Sequence, residues 1–165
     1  MLIENINNKD DFGRKIFLIN VSKFKEFDFK KLSQLSKYFT LLIINSDEVT
    51  TEDYSKNVDE LINSGLAYLC AWGKDCGKIH DIFDEVAVMM EIEQQIDPND
   101  DNIIMTTWHQ DETIKEALFY FLFITAPAEK YYFDCKTSLV LTIGDSNESE
   151  NVRKYLENQK LLEND

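Results

Sequence analysis

The sequence has little cysteine, little basic charge and no long apolar run. Its three cysteines, Cys70, Cys76 and Cys135, are odd in number and lack the spacing of a disulfide framework. That scarcity favours a reducing cytoplasm. The most apolar stretch, residues 117–126, is about half as long as a bilayer requires, and residues 1–5 lack the basic start and apolar run of a signal peptide. We therefore expect a cytoplasmic protein.

Basic residues are outnumbered, with 17 Lys and Arg against 31 Asp and Glu and a net charge of -14. Nucleic-acid binding needs clustered basic residues that neutralise phosphates, and an anionic membrane repels the same negative charge. The composition therefore argues against nucleic acid and membrane as partners. It favours a basic protein partner, attracted by the long-range field. The alternative is that the charge serves solubility alone.

Several motifs of catalysis and cofactor binding are also missing. No glycine-rich phosphate loop follows a predicted strand, and no Gly-x-Ser-x-Gly nucleophile elbow occurs. The chain has neither Cys-x-x-Cys nor His-Glu-x-x-His. A response-regulator receiver is excluded because Asn-Val-Ser stands at residues 20–22 in place of the acidic pair. We therefore predict no cofactor.

Apolar residues make up 44% of the chain, enough for a hydrophobic core in one domain that spans residues 1–165. Five apolar runs of strand length alternate with amphipathic segments, at residues 15–21, 41–44, 66–72, 102–108 and 137–143. Continuous apolar runs are typical of strands buried on both faces. The pattern predicts a three-layer α/β sandwich with a mainly parallel five-stranded sheet, Rossmann-like or flavodoxin-like.

The segments between the runs predict helices. The first covers residues 28–39, and the second is capped by Thr50 or Thr51 and ended by Gly65. A long helix follows around residues 79–90, then a strongly apolar helix from 112 to about 125 and a last helix around 152–156. The apolar helix is expected to be buried, or to form a homo-oligomer surface if one of its faces is open. The acidic tail, about residues 158–165, is expected to fray.

Both tryptophans and both histidines lie at or after the ends of the third and fourth predicted strands. In open parallel sheets, ligands bind outside the carboxyl ends of the strands. If these two strands are neighbours, one crevice is lined by Trp72, Lys74, Thr107, Trp108 and His109. Such a crevice would be a binding pocket or a protein-binding hot spot. The alternative is that the indole rings pack in the core.

Each tryptophan is followed three residues later by an aspartate at the start of a predicted helix. Asp75 follows Trp72 and Asp111 follows Trp108. Aspartate is a favoured N-cap, because its carboxylate accepts hydrogen bonds from the free N–H groups of the first turn. Capping is therefore the expected role of both residues.

If the protein is an enzyme, Cys76 is the candidate nucleophile. It falls in a predicted first helical turn, where free N–H groups and the helix dipole lower the pKa of a thiol. His109 is the candidate base and Asp111 or Asp81 the residue that orients it, with His80 as an alternative base. The neighbouring Asp75 acts in the opposite direction, and cysteines in such positions are also common as packing residues.

A metal site is not predicted, but its ligands can be named. They would be Cys76, His80 and His109, with Asp84 or Asp111 as the fourth. The alternative is a partly buried His80 that is hydrogen-bonded to Asp84 or to a backbone carbonyl.

Two segments are similar to those of a family of small uncharacterised bacterial α/β proteins. They are Ala71-Trp-Gly-Lys-Asp-Cys76 with His80-Asp81 and Asp84-Glu85, and Thr106-Thr-Trp-His-Gln-Asp-Glu112 with Glu116-Ala-Leu118. The resemblance covers about residues 66–125 and implies a bacterial cytoplasmic origin. Small acidic proteins of this kind often belong to toxin-immunity or phage-defence neighbourhoods, an association that carries no mechanism.

Two functions follow as hypotheses. The first is an acidic protein-binding module, such as an immunity or defence accessory protein, that holds a basic partner in the crevice of Trp72, Trp108 and His109. The second is a small hydrolase or transferase that uses Cys76 with His109 or His80.

Overall fold

A computed structural model describes residues 1–144 and 146–163, apart from the side chains of residues 29, 33 and 146. This part of the chain forms an α/β protein with six strands, six α-helices and two 3-10 helices. The strands are β1 Ile3–Lys9, β2 Lys15–Val21, β3 Tyr38–Asn45, β4 Leu66–Gly73, β5 Met105–Trp108 and β6 Cys135–Ile143. The α-helices are α1 Thr51–Asn63, α2 Cys76–Glu93, α3 Ile114–Phe123, α4 Glu129–Tyr132, α5 Ser146–Glu157 and α6 Lys160–Glu163.

The sheet has the strand order β1-β2-β6-β3-β4-β5. β1 pairs with β2 in the antiparallel sense, and every other pair is parallel. The α/β class and the mainly parallel sheet are therefore confirmed, whereas the predicted count of five strands is wrong. The sixth strand, β1, has only Ile3 and Ile6 as apolar residues, since an edge strand has one neighbour and needs less apolar surface.

Two apolar clusters cover the two faces of the sheet. Side chains alternate along each strand, so that Leu41 and Ile43 join α1 and α2 while Leu42 and Ile44 join α3 and α5. Residues 39–45 of β3 are consequently all buried. Burial on both faces explains why the sequences of the central strands are continuous apolar runs.

Helix α1 has the ends that the sequence predicts. The Thr50 side chain accepts a hydrogen bond from the N–H of Asp53, and Gly65 follows the helix with a φ of 113°. A Cβ at Gly65 would stand 2.2 Å from the carbonyl oxygen of Lys37, so this position requires glycine.

The predicted helix over residues 28–39 is wrong. The segment contains 3-10 helices at Phe24–Glu26 and Phe29–Gln34, and Phe39 belongs to β3. Pairing with β4 and β6 extends β3 back to Tyr38, so Phe39 is a strand residue and the helical spacing of Leu32, Leu35 and Phe39 is not used. Residues 160–163 of the expected frayed tail form α6, in which Leu162 is buried; residues 164 and 165 lie outside the described part.

A buried polar network joins the β1–β2 hairpin to the rest of the fold. The Arg14 Nε donates to Asp10 Oδ2 at 2.6 Å, and both side chains are at most 4% exposed. Arg14 also donates to the carbonyl and hydroxyl oxygens of Thr125, after α3. Asp10 Oδ2 accepts from Ser138 of β6, whose hydroxyl also contacts Thr40 of β3.

Candidate functional site

The two tryptophans lie on opposite faces of the sheet. β4 and β5 are neighbours, with Ala71 paired to Trp108. Paired residues of parallel strands point to the same face, so Trp72, the residue after Ala71, points to the other face. Trp72 packs on the α3 side, where its Nε1 donates to the Glu112 carbonyl at 2.8 Å. The two indole rings therefore do not share one crevice.

His109 and Thr107 lie together on the α3 side of β5. His109 is 4% exposed, with Nδ1 2.9 Å from Glu112 Oε2 and Nε2 3.1 Å from the Thr107 hydroxyl. Its ring packs on Tyr120, and Thr107 also donates to Cys70 Sγ. These contacts use both ring nitrogens and join β5 to α3.

Cys76 begins α2 but does not meet the imidazole of His109. Burial raises the pKa of the Cys76 thiol, opposed by hydrogen bonds from the backbone N–H groups of Gly77 and His109. The carboxylate of Asp111 raises that pKa further. The structure thus brings Cys76 close to Asp111 and to the His109 main chain, while the His109 ring faces Glu112 and Thr107.

His80 lies on the α2 side of β5, apart from His109. Its Nδ1 is 2.9 Å from Asp81 and its Nε2 is 3.1 Å from the Thr106 hydroxyl. Its ring centroid is 4.4 Å from that of Trp108. Within the described residues, no group of three or more His, Cys, Asp or Glu side chains is arranged to hold a metal ion.

The prediction that Asp75 and Asp111 cap helices through their side chains is wrong. Asp75 does precede α2, but its carboxylate accepts from the Val49 N–H instead of the helix. Asp111 caps nothing, because Thr113 and Glu116 form a reciprocal capping box at α3. Both aspartates have a left-handed backbone, with φ values of 57° and 63°. The shared Trp-x-x-Asp pattern therefore marks a left-handed residue, which aspartate tolerates.

Lys74, predicted to line the crevice, contacts the loop after β3. Its Nζ is 3.8 Å from Glu48 Oε1, and its backbone N–H donates to the Asn45 carbonyl. Asn45 Nδ2 in turn donates to the Lys74 carbonyl. Lys74 is therefore tied to β3.

A group of exposed apolar side chains lies on α2 and β5. His80 and Asp84 of α2 contact Thr106 of β5, and Val88 and Ile92 follow them on α2 at the same spacing of four residues. The large apolar residues of the two elements that are 38–71% exposed are Val88, Met89, Ile92, Met105 and Trp108. Met105 pairs with Tyr68, which packs on the α3 side, so Met105 points to the face opposite Trp108. We call the other four, Val88, Met89, Ile92 and Trp108, the α2–β5 surface.

The negative charge of the chain is concentrated in the segment that carries this surface. From Asp75 to Glu112 the sequence has eleven acidic residues and one basic residue, Lys78, whose ammonium donates to the Val49 carbonyl. All eleven are exposed except the half-buried Glu91. The overall net charge hides this concentration; a count of charge along the sequence would have found it.

A second feature lies at the carboxyl ends of β3 and β6. A cavity of about 260 Å³ there is lined by residues that include Lys23, Asp47, Asp53 and Tyr54. Lys23 and Asp47 form an ion pair at 2.7 Å, which raises the pKa of the lysine and lowers that of the aspartate. The Tyr54 hydroxyl is buried without a hydrogen-bond partner in the described residues. Because its charges are of both signs and partly paired, the cavity favours no one ligand.

The fold defines an α/β protein on a mainly parallel six-stranded sheet, and none of the described helices is long and apolar enough to span a membrane. The chain belongs to the family described as a domain of unknown function, DUF7684, whose model matches residues 19–159. Membership of an uncharacterised family is thereby confirmed. No curated protein matches the sequence. The matched range includes the whole α2–β5 surface and leaves out β1.

Proposed function

We propose that this chain is a protein-binding module of the bacterial cytoplasm that holds a basic protein partner on the α2–β5 surface. One observation carries the proposal: the most acidic part of the sequence also carries four exposed, large apolar side chains, those of the α2–β5 surface. Contiguous exposed apolar surface bounded by charge is typical of interaction sites.

The apolar side chains and the acidic residues contribute to binding in different ways. Apolar side chains supply affinity when a partner covers them: a tryptophan that is half exposed, like Trp108, offers on the order of 100 Å², or about 2.5 kcal/mol at about 25 cal/mol per Å². The acidic residues attract a basic partner over a distance and repel acidic ones, so they contribute selectivity and association rate.

This site differs from the crevice that the sequence predicts. Of the crevice residues, Trp108 is the one that belongs to the α2–β5 surface. Trp72 and His109 pack against α3 on the opposite face of the sheet. A changed Trp72 is therefore expected to affect stability more than binding.

The fold and the cysteines support the wider setting of the proposal. Helices on both faces of the sheet support a three-layer, Rossmann-like or flavodoxin-like classification. All three cysteines are buried free thiols, which suits a reducing compartment. A toxin-immunity or phage-defence accessory role suits a protein whose task is to hold one partner.

The alternative of a small hydrolase or transferase has less support. Burial raises the pKa of Cys76, which opposes formation of a nucleophilic thiolate. Neither histidine ring is hydrogen-bonded to that thiol: His109 contacts Thr107 and Glu112, and His80 contacts Asp81 and Thr106.

Binding of a fluorescently labelled peptide of ten alternating Lys and Val residues tests the proposal by anisotropy. Replacing Trp108 with Ala is expected to weaken binding about tenfold. Two exposed α2 residues, in the double variant Glu85→Gln/Glu93→Gln, are compared with two exposed α5 residues, in Glu150→Gln/Glu157→Gln. Both double variants lose two negative charges.

The α2 variant is expected to bind about threefold to tenfold more weakly at low salt, because each of the two charges removed weakens the attraction by about 0.3–0.7 kcal/mol. The α5 variant should remain within about twofold of wild type. Equal losses in both would mean that the peptide responds to overall charge, and unchanged binding by the Trp108→Ala variant would place the site elsewhere.

A further inference from the structure

We infer that the basic partner binds by adding an extended segment as a new strand on the open edge of β5. This inference rests on the proposed function, because it specifies how the α2–β5 surface holds its partner. It starts from a difference between the two edges of the sheet.

The edge formed by β1 has features that prevent strand addition. β1 has charged residues, Glu4 and Lys9, and its pairing with β2 is irregular between Ile6 and Lys9. Arg153 of α5 also donates to the Glu4 carboxylate, which holds the helix beside this strand. Charges, bulges and covering elements are the usual means by which edges avoid pairing with another chain.

The edge formed by β5 has none of these features among its own residues. Its four residues, Met-Thr-Thr-Trp, include no charge, proline or glycine, and its pairing with β4 is regular from Met105 to Trp108. β5 is also the last strand in the sheet order. It therefore offers a regular row of main-chain groups.

The groups that face outward can be assigned from one hydrogen bond. The His109 N–H donates to the Ala71 carbonyl of β4 at 2.9 Å. Main-chain groups of successive strand residues point alternately to the two sides. Thr107 therefore faces β4 as well, and Thr106 and Trp108 turn their N–H and C=O groups away from the sheet. An added strand would hydrogen-bond to these two residues.

Charge decides between a basic segment and a second copy of this chain. Two copies paired through β5 would bring together two sets of eleven acidic residues, which opposes a homodimer at this edge. A segment with alternating basic and apolar residues would place its basic side chains on the α2 side, beside Trp108 and Asp84, which contacts Thr106, and its apolar side chains on the opposite side, beside Met105. The occupant is therefore an extended Lys- or Arg-bearing segment of another protein.

A matched pair of variants isolates the main-chain contribution. Thr106→Val and Thr106→Pro both remove the hydroxyl that contacts His80, but only proline removes the outward N–H. The labelled Lys/Val peptide is compared with a peptide of the same composition whose valines are spaced by three and four residues, as in a helix. Circular dichroism and urea unfolding show whether each variant is folded.

We expect the alternating peptide to bind wild type and the Thr106→Val variant equally and the Thr106→Pro variant about tenfold more weakly, because one hydrogen bond is lost. The helical-pattern peptide should bind all three more weakly than the alternating peptide binds wild type. Hydrogen exchange on wild type, which does not depend on any variant folding, should show the amides of Thr106 and Trp108 slowed about tenfold or more by the alternating peptide.

Three results would overturn strand addition. The first is binding that depends on Trp108 but is equally strong in the Thr106→Val and Thr106→Pro variants, or that does not slow hydrogen exchange at the amides of Thr106 and Trp108. The proposed function then stands, with another binding mode. The second is a wild-type dimer in sedimentation experiments that protects the same amides, which identifies a second copy as the occupant. The third is no binding of either peptide, which removes the proposed function as well.

Discussion

The buried pair of Asp10 and Arg14 gives a quantitative test of the fold. In the Asp10→Asn variant, the remaining Oδ1 can still accept from the N–H groups of Phe12 and Arg14. The new amide nitrogen, however, replaces the oxygen that accepts from the Arg14 Nε and from Ser138. The guanidinium is then buried without a counter-charge. Removing one partner of a buried ion pair lowers the free energy of unfolding by about 3–5 kcal/mol.

That loss is a large fraction of the roughly 5–15 kcal/mol by which a domain is stable. Urea unfolding followed by tryptophan fluorescence should show a lower midpoint with an unchanged slope, and thermal unfolding should shift by roughly 10 °C. The double variant Asp10→Asn/Arg14→Met buries no charge and should recover part of the loss. A loss below about 1 kcal/mol for Asp10→Asn, or a double variant that loses the sum of the two single effects, would refute this reasoning.

Three further predictions concern a thiol, a glycine and an ion pair. Because burial raises the pKa of Cys76, iodoacetamide should label the native protein far more slowly than free cysteine between about pH 7 and 9, and fast native labelling would favour the enzymatic alternative. Gly65→Ala should lower the free energy of unfolding by about 2–3 kcal/mol in urea; Gly13→Ala, with no atom within 4 Å of its added Cβ, should lose about 1 kcal/mol. Arg153 lowers the pKa of Glu4, so this pair stabilises the fold above the ordinary Glu pKa of about 4.3 and less as pH falls. Urea midpoints at neutral and acidic pH should therefore differ less for Glu4→Gln than for wild type.

The central strands could be predicted from the sequence because each satisfies one strong requirement. Strands buried on both faces need continuous apolar residues, and β3, β4 and β6 have them. β1 was missed because an edge strand does not meet that requirement. The helix predicted over residues 28–39 is wrong for a different reason. Leu32, Leu35 and Phe39 fit helical spacing, but Phe39 pairs with β4 and β6 as part of β3, because tertiary contacts override local propensity.

The candidate site could be located along the sequence but not assigned to a face. The carboxyl ends of β4 and β5 do lie side by side, a point that the residue pattern left open. The pairing register, however, sets Trp108 beside Ala71 rather than beside Trp72, and an offset of one residue reverses the face on which a side chain lies. Register depends on long-range packing, so residue types and spacing alone could not fix it.

The position of β6 has a consequence for how the chain is made. β6 is the last strand to be synthesised, yet it lies between β2 and β3 in the sheet. Until β6 has been synthesised as far as residue 143, the edges of β2 and β3 that β6 will join have no strand between them. Such unpaired apolar edges are prone to aggregate, and pairing across more than a hundred residues is slow. A ribosome that stalls before β6 would therefore release a chain without the centre of its sheet, whereas a late start that omits β1 would remove one edge strand.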